Sequence, residues 1–326
     1  MSNFGKNNVK GALLALLAMG IYATHDVVVK TLGEAGLSAF QIVFFAALLS
    51  FPLTTVVLMG DKEPKNLVPH HPYWLALRTV CTVITGVSAF YAFTVLPLAQ
   101  TYAILFASPL LVTVLAIPVL GERVGAHRWA AVVCGLAGVM VVLRPGSSEL
   151  QLGHFAAMIS AVCGATASVI VRKIGSEERS VVLMLYPMLG NFVVMGIALP
   201  FAFQPMEIEH FGLAGIIALF GLTAGFLVIQ AYRAGEAAIV APMQYSQIIW
   251  ATMYGYLLFD ESVDGPTILG ASIIIASGVY IVLRESRGGR SNTTPVLNTR
   301  LRNETATSPR ASILGRLTGM SIDSKR

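Results

Sequence analysis

The chain has 326 residues, of which 55% are hydrophobic and only 12% charged, with a mean hydropathy of +0.72. Soluble domains carry about a quarter charged residues, so this composition excludes a soluble globular enzyme or binding module and calls for an integral membrane protein. The formal charge of +5 does not point to nucleic acid, because a large share of the basic residues sits in one polar tail.

Residues 1–10 carry Lys6 and Lys10 ahead of the apolar run GALLALLAMGIY, the layout of a secretory signal. No clean small-x-small cleavage site follows and the segment runs on apolar through Val29, so it is expected to remain as the first span. A span needs about 20 apolar residues, and ten candidates follow one another. They are 11–32, 37–59, 73–96, 98–120, 127–144, 153–174, 181–203, 211–232, 236–259 and 266–283. The connections are too short for a soluble domain between spans. The longest, DKEPKNLVPHHP at 61–72, reads as a solvated loop, and its adjacent His70 and His71 cannot share a helical face as metal ligands would. Cys81, Cys134 and Cys163 lie inside apolar spans without ligand spacing and read as small buried hydrophobes, so no metal or cofactor is expected. The tail at 285–326 is rich in Ser, Thr, Asn and Arg; it is expected to be disordered and drawn to anionic inner-leaflet lipids.

Loop charges give the orientation. With ten spans and the amino terminus inside, all but two of the 22 basic residues lie at inner ends, inner loops or in the tail. The exceptions are Lys30 and Arg144. By the positive-inside rule both termini are then cytoplasmic, at the inner membrane.

The chain repeats itself. ATHDVVVKTLG at 23–33 returns as ATASVIVRKIG at 165–175, GVMVVLR at 138–144 as GVYIVLR at 278–284, and GERV at 121–124 as DESV at 260–263. An odd-span unit copied in tandem inserts upside down the second time, and carriers built this way bind their solutes at the interface of the halves. The fold class expected is therefore an all-α membrane protein of ten transmembrane helices, arranged as two inverted five-helix repeats at 11–144 and 153–284.

Two five-span halves, each with a fourth helix closed by a Gly-Glu-like turn (Gly121-Glu122 and Asp260-Glu261) and a Gly-rich fifth helix reaching Gly138 or Gly278, resemble the ten-span EamA-type carriers of the drug/metabolite transporter superfamily. The resemblance covers residues 11–284. It implies that the first, third, fourth, sixth, eighth and ninth spans surround a central cavity opened alternately to each side. Asp260 stands where the family turn has glycine, so the geometry of that turn is the feature to check.

The ninth span, AIVAPMQYSQIIWATMYGYLLFDE at 238–261, carries more polar tips than a lipid-facing helix can use. Gln247, Trp250 and Tyr254 fall at i, i+3 and i+7, on one helical face. With Gln244, that face is a candidate substrate wall; interhelical packing is the alternative. The fourth span adds Tyr102 and Phe106, together with Gln100, Ser108 and Pro109, where a kink is expected. The third adds Tyr91 with Phe90 and Phe93, and the eighth Gln230 with Tyr232; Tyr186 and Asn191 are weaker candidates. Asp26 and His25, within the first span, are candidate ion-coupling residues. The alternative there is a structural pair between Asp26 and Lys30, one turn apart, with Lys30 snorkelling outward.

No GxxxxGK[ST], HExxH or GxSxG pattern occurs. The function expected is a secondary transporter moving a small metabolite by alternating access. A planar or aromatic solute such as riboflavin is favoured, since the cavity helices hold few cations for a phosphate and PMQYSQIIWA is similar to riboflavin-uptake members of the family. An amino-acid or drug exporter fits almost the same residues. A non-transporting scaffold is the reading of another class, and it requires a dry interface between halves. The expected partners are the solute and membrane lipids; oligomeric state has no signal in the sequence.

Overall fold

A computed structural model describes residues 8–59, 68–121, 124–145, 150–175, 177–178, 180–235 and 237–287. The expected disordered tail, beyond its first three residues, lies outside the described residues.

All regular elements described are helical, as a bilayer demands when no water is at hand to satisfy backbone amides and carbonyls. They are α1 (Asn8–Glu34), α2 (Ala39–Met59), α3 (Pro72–Val95), α4 (Leu98–Leu105), α5 (Ser108–Leu120), α6 (Ala126–Leu143), α7 (Leu152–Ile174), α8 (Ser180–Ala202), α9 (Ile208–Ala234), α10 (Ala237–Val240), α11 (Ser246–Phe259) and α12 (Gly265–Arg287). Eight stretches among the described residues are long and apolar enough to cross a membrane, α4 and α5 counting together as Leu98–Leu120. Of the remaining two, α2 carries Pro52 and its apolar part Ala39–Pro52 is shorter. The other, 237–259, is divided by a 3₁₀ turn at Ala241–Tyr245 that opens on Pro242.

Proline and glycine set the helix breaks. α4 ends at Leu105 and the chain restarts as α5 with Pro109 in its first turn, so the bend expected at Pro109 is an interruption at Phe106 and Ala107. Gly121 closes α5 with φ 70° and ψ 21°, and Asp260 closes α11 with φ 54° and ψ 30°. Both are left-handed caps, and aspartate is among the few side chains that adopt this region. The missing glycine therefore leaves the turn intact.

The helices pair across the chain. α1 runs antiparallel to α9, where Ala18, Met19 and Tyr22 meet Ala224 and Val228 and Gly11 abuts Gly235. α3 runs antiparallel to α7, with Leu75 packed on Ile170 and Ile174 and the Ser160 hydroxyl donating to the Thr85 carbonyl at 3.2 Å. α2 meets α8 through the stacked rings of Phe44 and Phe192, 5.3 Å apart. α6 crosses α12 at glycines, and a Cβ on Gly270 would stand 2.5 Å from the Gly138 carbonyl oxygen. Small residues of this kind let membrane helices approach to backbone contact. Of the 61–72 connection, the described residues 68–71 are exposed or half-exposed, and the segment is anchored at His71. The His71 imidazole pairs with Glu177 at 2.6 Å, and the His71 amide donates to Glu178.

A bulky side chain at the α6–α12 crossing must separate two backbones. Gly270→Leu is expected to cost about 1–3 kcal/mol by overpacking. Gly212→Ala, on an open helix face with nothing within 4 Å, should be neutral or stabilise by up to about 1 kcal/mol. Thermal melts of the two purified variants in one detergent check both.

Candidate functional site

α11 has two unlike sides. Ile249, Tyr256 and Leu257 are exposed on the bundle surface, whereas Gln247 is buried and Trp250 and Tyr254 are turned inward against α1. Tyr256, one of the polar-tipped residues of the 238–261 stretch, belongs to the outer side. α1 is shaped for the contact. The Trp250 indole passes beside Gly20, where a Cβ would make ordinary van der Waals contact with the ring at 3.4 Å. Thr24, one turn on, shares a 2.9 Å hydrogen bond with the Tyr254 hydroxyl. Trp250 and Tyr254 stack with centroids 6.5 Å apart. The Gln247 amide nitrogen is buried without a hydrogen-bond partner.

A second cluster joins α1 to α4. Asp26 is fully buried and His25 is 1% exposed. His25 Nδ1 lies 2.7 Å from Asp26 Oδ1, and the Tyr102 hydroxyl donates to Oδ2. The far nitrogen of His25, Nε2, is buried without a hydrogen-bond partner, and the ring meets Phe90 edge-on at 5.9 Å. Tyr102 continues into a line of rings, Phe93 at 5.3 Å and Phe106 at 5.8 Å, and Phe106 then meets Tyr245 at 5.1 Å. Tyr102 and Phe106 are thus buried in a line of rings that runs from α3 through α4 to the 3₁₀ turn at Ala241–Tyr245. Tyr91 and Gln230 are half-buried on α3 and α9, and Gln244 is half-buried in the 3₁₀ turn.

The Asp26–Lys30 pair does not form. Lys30 turns away along α1 and bonds Glu261 at 2.7 Å, the Leu96 carbonyl at 3.0 Å and the face of Phe259 at 5.2 Å. It is 6% exposed, so it does not snorkel. The partner Glu261 comes from the DESV turn, which the sequence marked as a repeat and as a Gly-Glu-like turn but not as a partner for Lys30. One sequence signal could have found it. Lys30 and Arg144 are the two basic residues that the loop-charge count sets apart, and both are matched by carboxylates of this one turn, Arg144 by Asp264.

Beside that turn lies a cavity of about 250 Å³ lined by Gln100, Ala251, Thr252, Gly255, Glu261 and Thr267 among others. It uses the side of α11 adjacent to the Gln247, Trp250 and Tyr254 side, and none of the eight candidate substrate residues lines it. Gln100 also reaches His154 on α7 at 2.9 Å. The cavity lining holds no cation and no aromatic ring; its polar groups are the Glu261 and Asp264 carboxylates, the Gln100 amide and the hydroxyls of Thr252, Ser262 and Thr267.

The EamA-like transporter family matches this chain twice, at residues 9–144 and 151–284. An S-adenosylmethionine uptake transporter of Rickettsia prowazekii (strain Madrid E) is 25% identical over 290 residues, 88% of this chain and 97% of that protein. A riboflavin transporter of Rhizobium johnstonii is 28% identical over 86% of this chain and 94% of its own length. A pseudopaline exporter of Pseudomonas aeruginosa is 27% identical over 83% and 95%. One solved crystal structure superposes with a TM-score of 0.54 at 16% identity, covering 85% of this chain and 99% of its own, a likeness of fold.

The Thr24–Tyr254 contact should be measurable as an interhelical bond. A double-mutant cycle of Thr24→Val and Tyr254→Phe, read by denaturation in detergent, is expected to give a coupling of about 0.6 kcal/mol and no more than about 1.7. Zero coupling would mean that the two hydroxyls do not meet.

Proposed function

The chain belongs to the EamA-like transporter family, and from that premise we propose that it is a ten-span secondary transporter of a small planar or aromatic metabolite, working by alternating access between two inverted five-helix repeats. The observation that carries the site is a pair of buried nitrogens without protein partners, Gln247 Nε2 and His25 Nε2, on two helices that pack together from opposite halves. An unsatisfied polar atom at membrane depth costs several kcal/mol unless something else meets it. That cost speaks against a dry scaffold.

Symmetry of packing supports the inverted repeat. Numbering the ten stretches in order, the α1–α9 and α3–α7 contacts are the first with the eighth and the third with the sixth, which exchange when five is added to each member. The second–seventh, fourth–ninth and fifth–tenth contacts map onto themselves. The matching left-handed caps at Gly121 and Asp260 follow the same rule. Orientation rests on the basic residues: with both termini in the cytoplasm, Lys30 and Arg144 alone face outward, and each is neutralised. A place in the inner membrane follows from the same assignment.

For substrate, Gln247, Trp250 and Tyr254 form the wall, with Gln244, Tyr91 and Gln230 about it, and Tyr102 with Phe106 as the barrier that must move. The solutes named for two relatives, S-adenosylmethionine and riboflavin, each carry a fused planar ring system, which suits stacking on Trp250. Export remains the second reading, drawn from the pseudopaline exporter. Coupling is assigned to Asp26 and His25. The carboxylate is bonded by His25 on its own helix and Tyr102 from α4, with Lys30 and Glu261 one turn farther out. A proton taken up there would loosen the Tyr102 contact and with it the aromatic barrier.

A thermal-shift screen of the purified protein against flavins, adenosyl compounds, nucleosides and amino acids tests the substrate. A true substrate at a hundredfold excess over Kd should add about 2.7 kcal/mol of stability, and Trp250→Ala should remove that gain. Stabilisation by no planar solute would sink the substrate class. In vesicles, Asp26→Asn should flatten the pH dependence of flux; an unaltered pH profile would exclude Asp26 from coupling.

A further inference from the structure

Glu261 does more in this structure than end a helix. Its Oε1 bonds Lys30 of α1 at 2.7 Å, and its Oε2 accepts from the Leu98 amide at the start of α4 at 3.0 Å. Lys30 in turn reaches the Leu96 carbonyl at the end of α3. Three bonds therefore close a ring through α1, the α3–α4 turn and the α11–α12 turn, and that ring joins the second half of the chain to the first. The carboxylate is held where it is by its own turn. The Glu261 amide donates to the Gly255 carbonyl at 2.9 Å, and Gly255 has no side chain because a Cβ would lie 2.6 Å from Glu261 Oε2. Three residues on, Asp264 pairs with Arg144 at the end of α6 while its other oxygen caps α12 through the Thr267 amide. The short 260–264 turn thus reaches three helices of the first half, α1, α4 and α6, at one end of the bundle.

The ring borders the cavity. Glu261 and Asp264 line it together with Gln100 and Thr252, which stand on α4 and α11. Any widening of the gap between α4 and α11 at this end must stretch either the Leu98–Glu261 bond or the Lys30–Glu261 pair. Lys30 and Glu261 are mostly buried, so water cannot readily take over their partners, whereas Arg144 and Asp264 are far more open to solvent. The first pair is the stiff tie and the second the soft one.

We propose that Glu261 is a positioning residue that latches the outer mouth of the carrier shut through Lys30 and the Leu98 amide, and that release of this latch opens the path between α4 and α11. The proposal rests on the transporter reading for its meaning. Its test needs no substrate, so its failure is separable from failure of that reading.

The reporter is Thr252→Cys, inside the cavity, in a chain whose Cys81, Cys134 and Cys163 are replaced by serine. Labelling by a membrane-impermeant maleimide is timed in sealed vesicles. Glu261→Gln keeps an oxygen for the Leu98 amide and removes the charge facing Lys30; it should speed labelling by about tenfold or more. Lys30→Gln, opening the pair from the other side, should do the same. The exchanged pair Lys30→Glu with Glu261→Lys restores opposite charges but gives the Leu98 amide no acceptor at position 261, so labelling should stay faster than in the parent, and Arg144→Gln should change the rate less than either single variant. A melting temperature for each variant separates a released latch from a loosened fold. Labelling of Glu261→Gln at the parent rate, or an acceleration matched by Arg144→Gln, would overturn the proposal.

Discussion

Everything in this bundle answers to one constraint: a polar or charged group at membrane depth has to find its partner on another helix, because lipid offers none. The chain meets it by placing complementary groups on elements far apart in sequence. Lys30 finds Glu261, Asp26 finds Tyr102, Thr24 finds Tyr254 and Gln100 finds His154. Removing one member of a buried ion pair strands the other, at about 3–5 kcal/mol. The links of Lys30, Thr24 and Gln100 therefore bind the two halves of the chain more specifically than apolar contact can, since lipid tails are as apolar as leucine, while Asp26 and Tyr102 join two helices of the first half.

The same constraint explains where the helices break. A break inside a bilayer frees backbone groups, and it is tolerated only where protein or a polar cavity receives them. The interruption at Phe106 and Ala107 and the 3₁₀ turn at Ala241–Tyr245 both occur in stretches that pack on each other and on α1, beside the aromatic barrier. Tyr245 sits there against Gly278 of α12, where any side chain would collide with the phenol. Irregular backbone and bulky rings thus gather together, while the α6–α12 crossing joins two unbroken helices at glycines.

Much of the fold was legible in the sequence because it is written in composition and period. Hydropathy located the helices to within a few residues, and the repeated blocks foreshadowed a packing in which contacts recur five stretches later. The Gln247, Trp250 and Tyr254 face was legible too, since helical spacing alone puts those residues together and the structure turns them toward α1. What could not be read was pairing between distant residues. Asp26 and Lys30 are four apart on one helix, and local geometry favoured joining them. Tertiary packing instead supplied each with a partner from outside α1, Tyr102 at a separation of 76 residues and Glu261 farther still. Helical spacing shows which residues share a face but not what the opposite face holds. It also could not show that Tyr102 and Phe106 close the interior instead of lining an open space.

Trp250 has a practical corollary. Of the three tryptophans in the chain, Trp129 is largely exposed on α6 and Trp74 lies beneath the Lys173 ammonium, 4.2 Å from its ring centre. Trp250 alone is wedged between Gly20 of one half and Tyr254 of the other. With the other two converted to phenylalanine, the protein would carry its own fluorophore at the seam, its emission colour and quenching tracking how far the two sides have parted, with no dye attached.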